Sequence, residues 1–167
     1  MVSTMNIYDD LQIRVATVDD LGEIMKLAME VAKENALFDT SPEHLVKIVW
    51  PCLTQQTGLI GVIGKRGGEI EGMVVLVVGS LSYSDTPCVE EKCVFVRKEF
   101  RSAKGGRAHK LLQFSKRVAE GLSLPLLIGV LSNTETRNKV KMYEREFGEP
   151  AGCFWVWNAK TGVAKVA

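Results

Sequence analysis

The chain has 167 residues, 46% of them hydrophobic and 25% charged, which fits one globular domain with its own core. The formal net charge of +1 offers no bulk attraction for nucleic acid or an anionic membrane. No apolar run is long enough to span a bilayer, and residues 1–10 lack the basic and apolar stretches of a secretion signal, so the expected location is the cytoplasm.

Residues 11–16 alternate apolar and polar side chains, the period of a strand. Residues 17–20 (TVDD) resemble a capping box with Asp in the Glu position. Leu21, Ile24, Met25, Ala28, Val31 and Ala32 then recur at helical spacing. Ser41, Pro42 and Glu43 start a second helix, which Leu45, Val46, Ile48 and Val49 continue and Pro51 kinks or ends. Beyond residue 58 the period changes. Residues 59–64 and 69–78 read as a hairpin around the turn at 65–68, and 88–97 as a third strand of the same set. A basic loop with glycines follows, then a helix carrying Ala108, Leu111, Leu112, Ser115, Val118 and Leu122. Residues 124–131 are apolar throughout, like a strand buried on both faces. A charged helix comes next, with Val140, Tyr143 and Phe147 on one face, Gly148 as its cap and Pro150 as a stop. Residues 151–158 read as the last strand, and the tail beyond them as frayed. The order β-α-α-β-β-β-α-β-α-β describes a single α/β (α+β) domain over 1–167, its core in about 11–158, with a mixed central sheet.

Cys52, Cys88, Cys93 and Cys153 form no C-x-x-C pair and sit in or beside apolar runs, so they read as buried thiols. No metal-ligand spacing and no Ser-His-Asp or Cys-His pattern is visible. His44 reads as a surface residue in a helix's first turn, and His109 as a neighbour of the glycine loop. That loop, 102–108, combines a flexible turn, the charges of Lys104 and Arg107, and a helix start. Such a segment is either an anion site or an ordinary solvated connection. Other phosphate motifs fit worse. G-x-G-x-x-G is absent, and at Gly64-Lys65 the P-loop pattern fails because Leu59 and Arg66 replace its glycine and hydroxyl residues.

In element order the sequence resembles the GNAT acetyltransferases over nearly its whole length. Residues 94–112 (VFVRKEFRSAKGGRAHKLL) are similar to that family's strand, Arg/Gln-x-x-Gly-x-Gly/Ala loop and helix. Gly106, Arg107 and Ala108 fit the second half of the motif, whereas Ala103 stands at the Arg/Gln position and Arg101 falls two residues before it, so the loop is longer. Residues 136–148 (TRNKVKMYEREFG) are similar to the family's last helix, with Tyr143 at the position that faces the CoA sulfur. The opening LQIRVAT followed by Val18, Asp19 and Asp20 matches as well.

The resemblance implies an acetyl-CoA-dependent N-acetyltransferase acting by direct transfer, with acetyl-CoA as cosubstrate and no metal. Arg101, Ser102, Ala103, Lys104, Gly105, Gly106, Arg107 and Ala108 would cradle the CoA pyrophosphate. The backbone of Phe95 and Val96 would pair with pantetheine where strand 88–97 splays from 124–131, and one N–H nearby would polarise the thioester carbonyl. Tyr143 would protonate the leaving thiolate, directly or through water. Glu90 or Glu91, on opposite sheet faces, would take the amine proton unless ordered water does. Asn133 would bond pantetheine or substrate, or cap the next helix. The acceptor would be a small-molecule or peptide amine, met by the helices of 17–53, the 79–87 loop and the last strand; no nucleic acid or membrane partner is implied. Trp155 and Trp157 read as core or as the surface of a homodimer. The rival reading is a non-catalytic acyl-CoA-binding or accessory module of the same fold, which has no need of the Tyr143 hydroxyl. A weaker third reading, nucleic-acid binding by Arg101, Lys104, Arg107 and Lys110, lacks both net charge and clustered aromatics.

Overall fold

The computed structural model describes residues 10–101, 106–132, 135–153 and 155–156. Its frame is an antiparallel meander of β1 (Leu11–Val15), β2 (Gly58–Lys65), β3 (Ile70–Ser80) and β4 (Pro87–Val96), with α1 (Leu21–Asn35) and α2 (Pro42–Leu53) between the first two strands. From β4 the chain crosses through α3 (Arg107–Leu122) to β5 (Leu126–Ile128), which lies parallel to β4, and ends its regular structure with α4 (Thr136–Phe147). The strand order β1-β2-β3-β4-β5 follows the sequence, and the single parallel pair makes the sheet mixed.

The apolar run of β3 explains the layering. Residues 70–76 are buried throughout, because helices cover both faces of the sheet at this strand. Met73 and Val75 join Ile24, Leu27 and Val49 in a core under α1 and α2. Val74 and Leu76 join Leu111 and Leu112 in a second core under α3. Each such side chain, fully buried, contributes about 1.5–3 kcal/mol relative to exposure. The α3 layer lies so close that a Cβ on Gly61 would stand 2.5 Å from Cε1 of Phe114, which is why β2 carries glycine there.

Local signals set the helix starts. The Thr17 N–H donates to Asp20 Oδ2 at 2.8 Å, and the Arg14 guanidinium bonded to Asp20 holds its carboxyl down at about 2. At α2 the Ser41 hydroxyl accepts the His44 N–H at 3.2 Å, with Pro42 following as the first helical residue. Pro51 lies inside α2, and the helix ends two residues later at Leu53.

Two expectations need correction. The apolar stretch 124–131 forms a strand only over Leu126–Ile128, and its Leu127 and Leu131 are exposed. It pairs with β4 alone among the described strands, so its apolar character reports local packing rather than a long ladder. Of the expected strand 151–158, residues 151–153 and 155–156 are not in a strand; 154, 157 and 158 lie outside the described residues. Trp155 is 85% exposed and belongs to neither core of this chain. Among the described residues, no helix is long and apolar enough to cross a membrane.

Candidate active site

The site is organised by a register slip in β4. Val75 pairs with Cys93 and Leu76 with Glu91, so β4 holds one residue more than β3 between them, a β-bulge around Lys92. The slip inverts the alternation. Cys93 and Phe95 pack with the α1/α2 core, Val94 and Val96 with the α3 core, yet Val89 also packs with the α3 core. Glu91, two residues on from Val89, therefore turns to the α3/α4 side, where a regular strand would have set it on the same face as Cys93.

Beside the bulge the sheet opens. β5 pairs with β4 only at Val89, Glu90 and Glu91, so beyond Glu91 the outer edge of β4 has no strand partner among the described residues. A cleft fills the gap. One part, about 400 Å³, is lined by Val94, Phe95, Val96 and Arg101 on one side and by Asn138, Lys139 and Met142 of α4 on the other. An adjoining part of about 100 Å³ is lined by Glu91, Cys93, Gly129, Leu131 and Tyr143. Val94 and Lys139 line both, so the two parts meet at the middle of α4.

Glu91 and Tyr143 face each other in the smaller part. The Tyr143 hydroxyl donates to Glu91 Oε1 at 2.5 Å. Glu91 is only 6% exposed, and its Oε2 is buried with no hydrogen-bond partner. Burial pushes the Glu91 carboxyl up from 4.5 to about 7, against the opposing pull of the Tyr143 hydrogen bond and the Lys139 charge. Burial, and then the Glu91 charge and hydrogen bond, push the Tyr143 phenol well above its ordinary value, so it keeps its proton at neutral pH. Cys93, pushed up to about 12 chiefly by burial, stays a thiol. The arrangement is a carboxylate able to accept a proton near neutrality, joined directly to a phenol that stays protonated.

The other expected residues fall in different places. Glu90 does not meet Tyr143; it forms an ion pair with Lys92 at 2.6 Å, half-exposed. Phe95 and Val96 line the cleft, and the outward carbonyl of Val96 accepts the Arg101 Nε–H at 2.8 Å. Arg101 also stacks over the Phe95 ring and pairs with Glu34 of α1 at 2.5 Å, bridging the edge of the cleft. Gly106 adopts a left-handed conformation, φ 56°, as the N-cap of α3, a position that favours glycine. Ala108 lines the larger part of the cleft, close to where α3 begins. The first turn of α3 carries no acidic residue and no side-chain cap among the described residues, which leaves its N–H groups and dipole to an anion. The Arg107 side chain, however, is buried, bonded to Glu71 of β3 and stacked on Phe100. Its guanidinium belongs to the core, and what it can offer the cleft is its backbone. His109 bonds Glu146 of α4 at 2.6 Å and ties the two helices together. Ser102, Ala103, Lys104, Gly105 and Asn133 lie outside the described residues.

Lys139 is the lining residue that sequence reasoning passed over. It precedes Tyr143 by four residues, one helical turn, so a search of Tyr143's own helix face finds it. Glu34 carries no such signal, since it meets Arg101 across 67 positions of sequence. Among the described residues, no group of three His, Cys, Asp or Glu could hold a metal ion.

This architecture is shared with solved acetyltransferase structures. The aminoglycoside acetyltransferase AAC(6')-Iy, in complex with the bisubstrate analogue CoA-S-monomethyl-acetylneamine, superposes with a TM-score of 0.69 at 15% identity, over 89% of this chain and 97% of that one. The ribosomal-protein-alanine N-acetyltransferase from Brucella melitensis biovar Abortus 2308 gives 0.68 at 16% identity, over 89% and 98%. The aminoglycoside antibiotic 6'-N-acetyltransferase AAC(6')-Ih from Acinetobacter baumannii gives 0.66 at 15% identity, over 91% and 99%. The chain has the GNAT acetyltransferase fold. No protein-family model matches the sequence, and no curated protein matches it.

Proposed function

We propose that this protein transfers an acetyl group from acetyl-CoA to a primary amine by direct attack, with Glu91 as base and Tyr143 as acid. The observation that carries the reading is the hydrogen-bonded Tyr143–Glu91 pair, its carboxyl buried, at the point where β4 and β5 part. The fold supports it, since solved structures of the same architecture are acetyltransferases, one of them bound to a CoA bisubstrate analogue.

The residues fit the cosubstrate. The open edge of β4 offers backbone groups to the amide chain of pantetheine. Gly106 and the first turn of α3 offer N–H donors to pyrophosphate, with Lys139 as a positive charge in the cleft. Acetyl-CoA, when bound, supplies the activated acyl group. Glu91, which lines the smaller part of the cleft, takes the proton that the amine nitrogen loses as the C–N bond forms. Tyr143 gives its proton to the sulfur as the C–S bond breaks, and recovers one from Glu91 across their hydrogen bond. The pair thus ends the cycle as it began, with the amide and the free CoA thiol as products.

Calorimetry with CoA, followed by free-thiol release from acetyl-CoA in the presence of amines, tests this reading. Binding of CoA and amine-dependent thiol release are expected. An absence of CoA binding at millimolar ligand would remove the basis of the reading.

A further inference from the structure

A further cavity adjoins the smaller part of the cleft. Asn35 and Leu131, which line the smaller part, also line a chamber of about 440 Å³ under the connection from α1 to α2. We propose that this chamber receives the body of the acceptor, and that the acceptor is a singly charged primary amine on an apolar, aryl-sized skeleton. The proposal rests on the acetyl-transfer reading and narrows it.

The walls make the argument. Leu37 and Leu45 form the floor side, while Phe38 and Leu131 stand 64% and 46% exposed around the opening. Apolar side chains gathered around one concavity mark a surface that a ligand covers. Ala32 and Ala36 supply the room on the α1 side. Carboxylates are scarce. Asp39 is the one acid among the lining residues. The Ser41 hydroxyl is already committed, accepting the His44 N–H and donating to Glu43.

A polycationic amine would bring several ammonium groups to a wall with a single carboxylate, and desolvating an unpaired ammonium is strongly unfavourable. An apolar body has no such cost and gains from burial. The same wall serves the chemistry. An apolar surrounding disfavours the charged amine and so lowers its pKa, which raises the fraction of neutral nucleophile facing Glu91.

The test uses the full chain with saturating acetyl-CoA. 2-Phenylethylamine and tryptamine are compared with methylamine, spermidine and an aminoglycoside by kcat/KM for thiol release, and 2-phenylethylamine binding is measured directly by calorimetry in the presence of CoA. The arylalkylamines should exceed both methylamine and the polycations by about tenfold or more, the ratio expected from burying one ring. Phe38→Ser, at an exposed position, should raise KM for 2-phenylethylamine by about tenfold with a smaller change in kcat. Equal or better turnover of the polycations overturns the assignment, and so does an unchanged KM in Phe38→Ser. Binding of 2-phenylethylamine without transfer to any amine supports the chamber and overturns the transferase reading beneath it. If apolar amines neither bind nor react, the chamber assignment fails whatever the protein does with CoA.

Discussion

The α1/α2 side of the sheet and the β5/α4 wing are held by different forces. In the former, Ile24, Leu27, Ile60, Met73 and Cys52 are almost wholly buried, and the strands beside them run in ladders of five residues or more. In the latter, β5 pairs over three residues and α4 buries no side chain completely. Met142 and Tyr143 lean on the α3 core, the Lys116 ammonium of α3 stands 4.7 Å from the Phe147 ring centre, and hydrogen bonds add to the attachment. Glu146 is its hub, bonded to His109, to Gln113 at 2.7 Å and, through its carbonyl, to Lys116 at 2.9 Å. Burial is cooperative and intolerant of change, whereas a helix held by polar contacts at its edge opens at lower cost. The candidate active site lies on the seam between the two regions, with Glu91 on the strand and Tyr143 on the loosely held helix. Stability and chemistry should therefore respond to different residues.

The largest expected effect breaks the chemistry and spares the fold. Tyr143→Phe should lower kcat by roughly 10²–10⁴-fold, the usual contribution of a general acid. Its melting temperature and CoA affinity should stay near those of the parent, because the ring remains packed. Full activity in this variant would show that the thiolate takes its proton elsewhere. A marked loss of stability would instead assign the hydroxyl a structural duty.

Leu27→Ala inverts the pattern. Leu27 is 0% exposed, and truncating such a residue typically costs about 2–5 kcal/mol. Denaturant unfolding should show that loss, while kcat/KM per folded molecule stays close to the parent value. If Leu27→Ala damages turnover as much as stability, the two regions are coupled and the comparison fails.

Glu91→Gln probes the seam by pH. In the folded protein the carboxyl titrates at about 7 against an ordinary 4.5, so between those values the folded state holds a proton that the unfolded state has released. Stability should therefore fall as pH rises through that window. Over the same range kcat/KM should rise, because the base must be ionised to act. Glu91→Gln should flatten the stability loss between pH 4.5 and 7 and remove the acid limb near 7. Identical pH profiles in the two proteins would take Glu91 out of the mechanism.

Legibility in the sequence followed the same division. The strands of the meander and α1 to α3 stand within about two residues of where period and caps place them, since burial on one face writes itself into the spacing. The wing was harder to read. Residues 124–131 are apolar, but apolar character does not say which backbone groups find partners, and only 126–128 join the sheet. Glu90 and Glu91 were equivalent candidates, because alternation assigns them opposite faces without saying which face holds Tyr143. The bulge decides it, and a bulge depends on the partner strand. Arg107 stands in a basic loop and read as a phosphate ligand. Its side-chain partner, Glu71, lies 36 positions away and leaves no local trace.

The bulge in β4 can also be regarded as an insertion. With Lys92 left out, Glu91 would be followed directly by Cys93, and regular alternation would already set Glu91 toward α4 and Cys93 toward α1. Deleting that residue therefore keeps every neighbouring side chain on its present face and removes only the swelling of the backbone. The strand behaves as two reading frames joined by one spare codon. Both frames reach the cleft: the one before the insertion brings Glu91 to it, and the one after brings Val94, Phe95 and Val96.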